Sequence, residues 1–293
     1  MISRITNQSL LATSQQNMQA ARAGLAELQN QASSQKQITK PSDDPNGSAE
    51  SMRIRSEQRA LAQYGINVSD GLGWLTIADT ALSDATSTLQ KVRDLVVQGG
   101  NGALGPQQRE ALALQLDELK PELMRAANAN YAGRPVFAGN TDAGVAFQPD
   151  GSYTGVVGST VERRIGATTT MRVDVDGSAV FGTGATSAFA LIDQIAADLR
   201  SGAPVTTHLD TIDDKLASVI GAQSSVGARY AQLEHTKELS MEQAGFLEAQ
   251  RADIEDVDLG SIILELKTQE LAYQTALSVT ARSLQPTLMS FLA

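Results

Sequence analysis

A few short stretches hold residue types that could do chemistry. Glu255-Asp256-Val257-Asp258 gathers carboxylates densely enough for a divalent-cation site or an acid–base pair. Val173-Asp174-Val175-Asp176-Gly177-Ser178 contains the opening of a calcium-binding loop, and Gly182-Thr183-Gly184 a fragment of a phosphate-cradling turn. The chain has 2 histidines, His208 and His235, as candidate bases or zinc ligands.

None of these reads as a site. A calcium loop needs further oxygen ligands and a closing Glu, which do not follow; Asp176-Gly177 reads instead as a hairpin turn. Gly182-Thr183-Gly184 is too short for a dinucleotide loop and reads as a flexible exit from the segment before it. The run 255–258 has no histidine near it and falls where the helical pattern slips, which points to a solvated hinge. His208 follows Pro204 at a helix start and His235 sits beside Glu234, so both read as surface residues. With 0 cysteines there is neither a thiolate site nor a disulfide. Nucleophile elbow, phosphate loop and paired-histidine motif are absent from the text. The expectation is a non-enzyme with no catalytic, cofactor or metal residues.

A net charge of −10 and a pI near 4.7 argue against nucleic acid, since basic residues are scattered and Arg163-Arg164 is the only adjacent pair. No stretch nears the roughly 18 uninterrupted apolar residues of a membrane span. Met1-Ile2-Ser3-Arg4-Ile5-Thr6-Asn7 lacks a secretory apolar core, so these rules alone predict a cytoplasmic protein. Aromatics are only 4% of residues, so the core is expected to be built from Leu, Ile, Val and Ala.

What positions residues in this chain is a seven-residue period. Ile54, Leu61, Val68, Leu75, Leu82, Leu89 and Val96 fall at successive seven-residue steps, with Tyr64, Ala78, Ala85 and Val92 on a weaker companion seam. Ile212, Val219, Val226, Leu233, Ser240, Leu247 and Ile254 repeat the step, flanked by Leu209, Leu216, Tyr230 and Ala244. Such a period keeps a narrow apolar stripe against a partner helix along a left-handed supercoil. Asp44-Pro45 starts the first rod and Gly99-Gly100 ends it, giving roughly 80 Å of helix at 1.5 Å per residue. Gly65, Gly71 and Gly73 weaken its middle enough to permit a bend, and Pro121 is expected to kink a third helix that opens at Gly105-Pro106.

The ends carry thinner stripes. Leu11, Met18, Leu25 and Ala32, with Ala21 and Leu28 beside them, mark the front; Ile263, Leu266, Tyr273, Leu277, Leu284 and Leu288 mark the back. Breaks at Lys40-Pro41-Ser42-Asp43-Asp44 and at 255–258 lie at matching distances from the ends, so the ends read as partners. Between about 136 and 181 the text turns to short β runs, Phe137–Gly139, Ser152–Thr154, Val161–Ile165 and Met171–Val175, separated by Pro149-Asp150-Gly151 and Asp176-Gly177. A short amphipathic helix (Phe189, Ile192, Ala196, Leu199) leads back to the second rod.

The fold expected is therefore mainly α with a small antiparallel β insertion, built on long antiparallel coiled-coil-like helices from both ends. Three domains follow: 1–40 with 259–293 for assembly, 41–140 with 187–258 as a helical rod, and 141–186 as the β insertion. Ile54, Leu61, Val68, Leu75, Leu82, Leu89, Val96, Ile212, Val219, Val226, Leu233, Leu247 and Ile254 form the rod core. Leu11, Met18, Leu25, Leu28, Ile263, Leu266, Tyr273, Leu277, Leu284 and Leu288 form the assembly interface.

Several blocks carry a family resemblance. Lys36-Gln37-Ile38-Thr39-Lys40-Pro41-Ser42-Asp43-Asp44-Pro45, Asn67-Val68-Ser69-Asp70 with Trp74-Leu75 and Ala78–Leu82, Val92–Gly102, and Ala127-Asn128 with Gly133-Arg134 and Phe137–Gly139 resemble the flagellar hook-associated protein 3 family of flagellin relatives. Val226-Gly227-Ala228-Arg229 and Leu284–Leu292 fit its C-terminal half, although Pro286 is similar to flagellin endings. The resemblance implies an adaptor at the hook–filament junction, with filament-forming flagellin as the alternative. It also implies export through the flagellar type III apparatus on an uncleaved N-terminal segment, which replaces the cytoplasmic expectation with an extracellular, flagellar one. The partners it implies are a ring of further copies, the first junction protein, flagellin and a cytosolic export chaperone, with no nucleic acid and no membrane insertion. Physically, two slender end stripes bury too little apolar surface to offset the ordering of both ends. The ends are expected to order only against neighbouring subunits, while the rods fold alone.

Overall fold

The computed structural model describes residues 2–141 and 143–283. Among these lie α1 (Ile2–Ser34), α2 (Pro45–Gly99), α3 (Pro106–Ala127), α4 (Gly177–Phe181), α5 (Ala188–Ser201), α6 (Leu209–Glu255) and α7 (Leu259–Ser283). Two small antiparallel sheets stand between α3 and α4: β1 (Asn130–Tyr131) with β2 (Arg134–Pro135), and β3 (Glu162–Arg164) with β4 (Thr170–Arg172). The fold is mainly helical with a small β middle, as the periodicity predicts. The chain forms two compact units, residues 60–243 and the remaining residues from both ends, and each has its own packing.

In the unit 60–243 the seven-residue stripes are the core. Val68, Leu75, Leu82, Leu89 and Val96 on α2 are buried, as are Ile212, Val219, Val226 and Leu233 on α6, while Leu61 is half-buried. Ala78, Ala85 and Val92 of the companion seam are buried too, but Tyr230 is exposed. Helix α3 lays Leu116 and Leu123 against α5, whose Phe189, Ile192, Ala196 and Leu199 all face inward. Neither the glycines nor Pro121 interrupts a helix: α2 runs unbroken from Pro45 to Gly99 and α3 from Pro106 to Ala127. Gly73 has a positive reason to be glycine, because a Cβ there would lie 2.6 Å from the Tyr131 hydroxyl, and the Tyr131 ring packs on Trp74 at 5.8 Å.

The β middle differs from its expected form in three respects. Asp176-Gly177 is not a hairpin turn: Asp176 caps α4 by accepting from Ser178 N at 3.0 Å and Ser178 Oγ at 2.6 Å. Among the described residues no strand follows β4 to complete a hairpin there, and Gly177 N instead donates to Phe137 O at 3.0 Å. Phe137–Gly139 forms no strand, and its Phe137 carbonyl also takes the Tyr153 hydroxyl at 2.9 Å. Nor is this core purely aliphatic. Phe137, Phe147, Phe181 and Phe189 cluster with ring centroids 5.2–6.1 Å apart, concentrating most of the 6 phenylalanines of the chain in one place. A layer this irregular has few residues with which to cover its core, so each must bury a large area.

The expected hairpins elsewhere are present. Glu162, Arg163 and Arg164 pair with Arg172, Met171 and Thr170, and the ladder extends through Val173 N to Val161 O at 2.9 Å. Pro149-Asp150-Gly151 turns between Phe147 and Tyr153, with Gly151 at φ +78° and Gln148 N bonded to Ser152 O at 2.9 Å.

Candidate assembly surface

The second unit is built from α1, α7, the first turns of α2 and the last turns of α6. α1 is poor in large apolar residues and offers one slender seam, which meets one face of the more apolar α7. Met18, Leu25 and Leu28 are half-buried on α1, which packs on α7, and Leu266 and Tyr273 are half-buried on α7. Ile262 is buried outright. Polar contacts fix the register: Ser14 Oγ lies 2.7 Å from Thr280 Oγ1, and Gln269 Nε2 donates to Ala21 O at 3.2 Å.

The outer face of α7 carries exposed large apolar residues among polar ones. Leu264 is 71% exposed, Leu271 65%, Val279 59% and Ile263 53%, and Leu277 is also exposed. Leu264, Leu271 and Val279 recur at helical spacing, and a shallow groove of about 580 Å3 runs past Leu271 and Val279 to Ser14 and Asn17 of α1. Large exposed apolar side chains recurring on one helix face are where a partner is to be sought. The predicted assembly residues therefore separate. Met18, Leu25, Leu28, Leu266 and Tyr273 lie in the seam between the two end helices, whereas Ile263 and Leu277 stand free. Leu284 and Leu288 lie outside the described residues, as does the side chain of Leu11. Sequence reading missed Leu264, Leu271 and Val279, although their spacing marks a second face of the same helix.

The connectors at the roots of these helices are organised around one carboxylate. Residues 35–37 and 255–257 form an antiparallel bridge at Lys36 and Asp256, with Gln37 N donating to Glu255 O at 2.7 Å and Val257 N to Gln35 O at 3.2 Å. Glu255, the last residue of α6, is 3% exposed. Its carboxylate accepts Arg55 Nε and Nη2 at 2.9 Å each, Lys36 Nζ at 3.3 Å and the Ser51 hydroxyl. Arg55 above all holds this carboxyl down at about 2, against burial; Ser51 and Lys36 add to the depression. Lys36 is raised above its ordinary value, chiefly by its bond to Asp256. The expected solvated hinge is thus corrected. The run does break the helix, but its first carboxylate is buried, because cations from two other segments converge on it.

Asp43 organises the front connector by accepting from Thr39 N at 3.1 Å, Thr39 Oγ1 at 2.8 Å and Lys40 N at 2.8 Å. The Thr39 hydroxyl, then the Lys40 amide, lower its pKa. Asp44 accepts from Asn46 N at 3.0 Å and so caps α2. At the unit's base Ile54 and Leu247 are buried and Ile254 half-buried, with Gln58 Nε2 donating to Glu248 Oε2 at 2.9 Å. Elsewhere His208 corrects another expectation: it is largely buried, with Nε2 2.7 Å from Asp198 Oδ2, whereas His235 is exposed. Among the described residues no group of three or more His, Asp or Glu could hold a metal ion, and no helix is long and apolar enough to cross a membrane.

Residues 5–142 match the bacterial flagellin N-terminal helical region, and residues 209–292 match the bacterial flagellin C-terminal helical region, together well over half of the chain. Flagellar hook-associated protein 3 of Salmonella typhimurium strain LT2 is 24% identical over 300 residues, covering 93% of this chain and 94% of that protein. Flagellin FlaB2 of Treponema pallidum is 25% identical, covering 85% of each. In structure the chain is similar to a putative flagellar hook-associated protein from Vibrio parahaemolyticus, with a TM-score of 0.67 and 24% identity over 73% of this chain and 100% of that one.

Proposed function

Because the chain belongs to the bacterial flagellin family, carrying both helical regions of that family, we propose that it is a structural subunit of the flagellum, serving as the adaptor at the hook–filament junction. The observation that carries this reading is the outer face of α7. Leu264, Leu271 and Val279 stand in the open beside a seam that is itself only half-buried, which supports a role for this face in packing against neighbours. Near full-length similarity to hook-associated protein 3 supports the junction as the place where it is covered. The function is mechanical; no residue has a catalytic role.

On this reading the ends are disordered or frayed during export through the flagellar type III apparatus, with a cytosolic chaperone guarding them. They then fold against neighbouring copies in a ring, between the first junction protein and flagellin. Ordering by neighbours keeps subunits from polymerising before export, because the ordering cost is offset only at the growing tip. Division into an assembly pair, a rod and a β insertion follows the same logic, with the rods folding on their own.

Deleting the gene tests the reading. Hooks without filaments, with flagellin shed into the medium, are expected; hooks that still carry filaments sink it. The similarity to FlaB2 favours one second reading, a filament-forming flagellin. Purified chain seeded with filament fragments distinguishes them, since a flagellin elongates the seeds and an adaptor does not.

A further inference from the structure

The connectors between α1 and α2 and between α6 and α7 are joined more firmly than two surface turns require. Lys36 and Asp256 face each other as an antiparallel pair flanked, not joined, by their two backbone hydrogen bonds, Gln37 N to Glu255 O and Val257 N to Gln35 O. Beside the pair, the Glu255 carboxylate collects Arg55, Ser51 and Lys36, while Arg251 Nε lies 4.0 Å away. Lys36 also reaches across to the Asp256 carboxylate. These groups come from near the front of the chain and near its back, and α1 ends and α7 begins within a few residues of the bridge.

We infer that this bridge, held by Glu255, is a clasp that keeps the roots of the two end helices side by side, so that α1 and α7 zip together from a preformed fork. The inference rests on the assembly role proposed above and deepens it. Lys36 stands on the connector between Ser34 and Pro45 and Asp256 directly after α6, and for loose connectors the entropy of ordering them is set against pairing. A closed clasp meets that cost beforehand and raises the effective concentration of one helix at the other. It also supplies the costly nucleus of a helical pair, and in one register. The clasp differs from the seam it starts in what holds it. The seam is apolar and half wet until neighbours cover it, whereas the clasp is made of charge-assisted hydrogen bonds that hold without a neighbour. Glu255 is thus a positioning residue for assembly, acting through the connectors.

The chain has 0 cysteines, so Gln35→Cys with Val257→Cys introduces its only thiols and leaves Lys36, Asp256 and Glu255 in place. Residues joined by such a ladder hydrogen bond hold their Cα atoms about 5.5 Å apart, within the reach of a disulfide. In dilute isolated chain with oxidised glutathione, the intramolecular disulfide is expected to form readily. Adding Glu255→Ala is expected to slow its formation by about tenfold or more, the factor equivalent to losing one charged hydrogen bond. Arg55→Ala, which keeps the carboxylate but removes its foremost partner, should slow it as well. Emission from the single Trp74 in the other unit reports whether each variant is folded there. Equal rates with and without Glu255, in variants with unchanged Trp74 emission, overturn the clasp. That result leaves the gene-deletion phenotype untouched, and a deletion without phenotype leaves the cross-linking rates untouched.

Discussion

Exchanging Glu255 for Gln keeps the shape of the side chain and removes the charge that Lys36, Arg55 and Arg251 surround and Asp256 adjoins. The folded carboxyl titrates at about 2 against an ordinary 4.5, so its contribution is fully present above about 4.5 and is lost as pH falls toward 2. The ceiling is about 3 kcal/mol, lowered by the water that reaches the half-exposed Arg55. Denaturant titrations should therefore find Glu255→Gln less stable than the parent at pH 7, with the gap closing by pH 2–3; a gap independent of pH refutes the assignment. Gly73 makes a second residue-scale prediction. A methyl group there meets the Tyr131 ring, and Gly73→Ala should cost about 1–3 kcal/mol of overpacking, lowering the melting temperature followed by Trp74 emission. An unchanged melting curve contradicts the close approach.

Among elements, the rods and the end helices should respond differently to the same insult. Leu75 and Leu233 are fully buried in the core of the unit 60–243, so an aspartate at either leaves an unpaired charge inside and should unfold that unit, at a cost of about 4 kcal/mol or more. Leu271 and Leu277 face outward on α7, so an aspartate at either should leave the melting of that unit unchanged while abolishing assembly onto hooks. Matching losses of Trp74-monitored stability in both pairs would remove the distinction. The rods were legible in sequence because a seven-residue stripe states its own geometry: Val68, Leu75, Leu82 and Leu89 need only a partner helix, whichever it is. Glu255 was not legible, since a carboxylate in an acidic run looks solvated until Arg55 and Lys36 are brought to it from far along the chain.

At the scale of the whole molecule, the prediction concerns where order stops. Hydrogen exchange on dilute chain should find strong protection through α2, α3, α5 and α6 and little at residues 5–35 and 262–283, with protection appearing there on assembly. Strong protection of both ends in the solitary chain overturns the idea that neighbours order them.

Periodicity and punctuation by themselves determined the long helices, their ends at Pro45, Gly99 and Pro106, the pairing of the chain's two ends and the β interruption between the rods. Apart from the pairing of the ends, which follows from matching stripes and breaks at both termini, these are local properties: a stripe, a cap or a turn is encoded within a few residues of where it acts. Tertiary structure alone decided which carboxylate is buried, that Asp176 caps a helix instead of turning a hairpin, that a phenylalanine cluster supports the β middle, and which face of α7 is left bare. The Asp176 cap is itself local but is favoured by the Gly177 bond to the distant Phe137 carbonyl; the others depend on groups far apart in sequence that share one neighbourhood only after folding, and burial, ion pairing and exposure are properties of that neighbourhood.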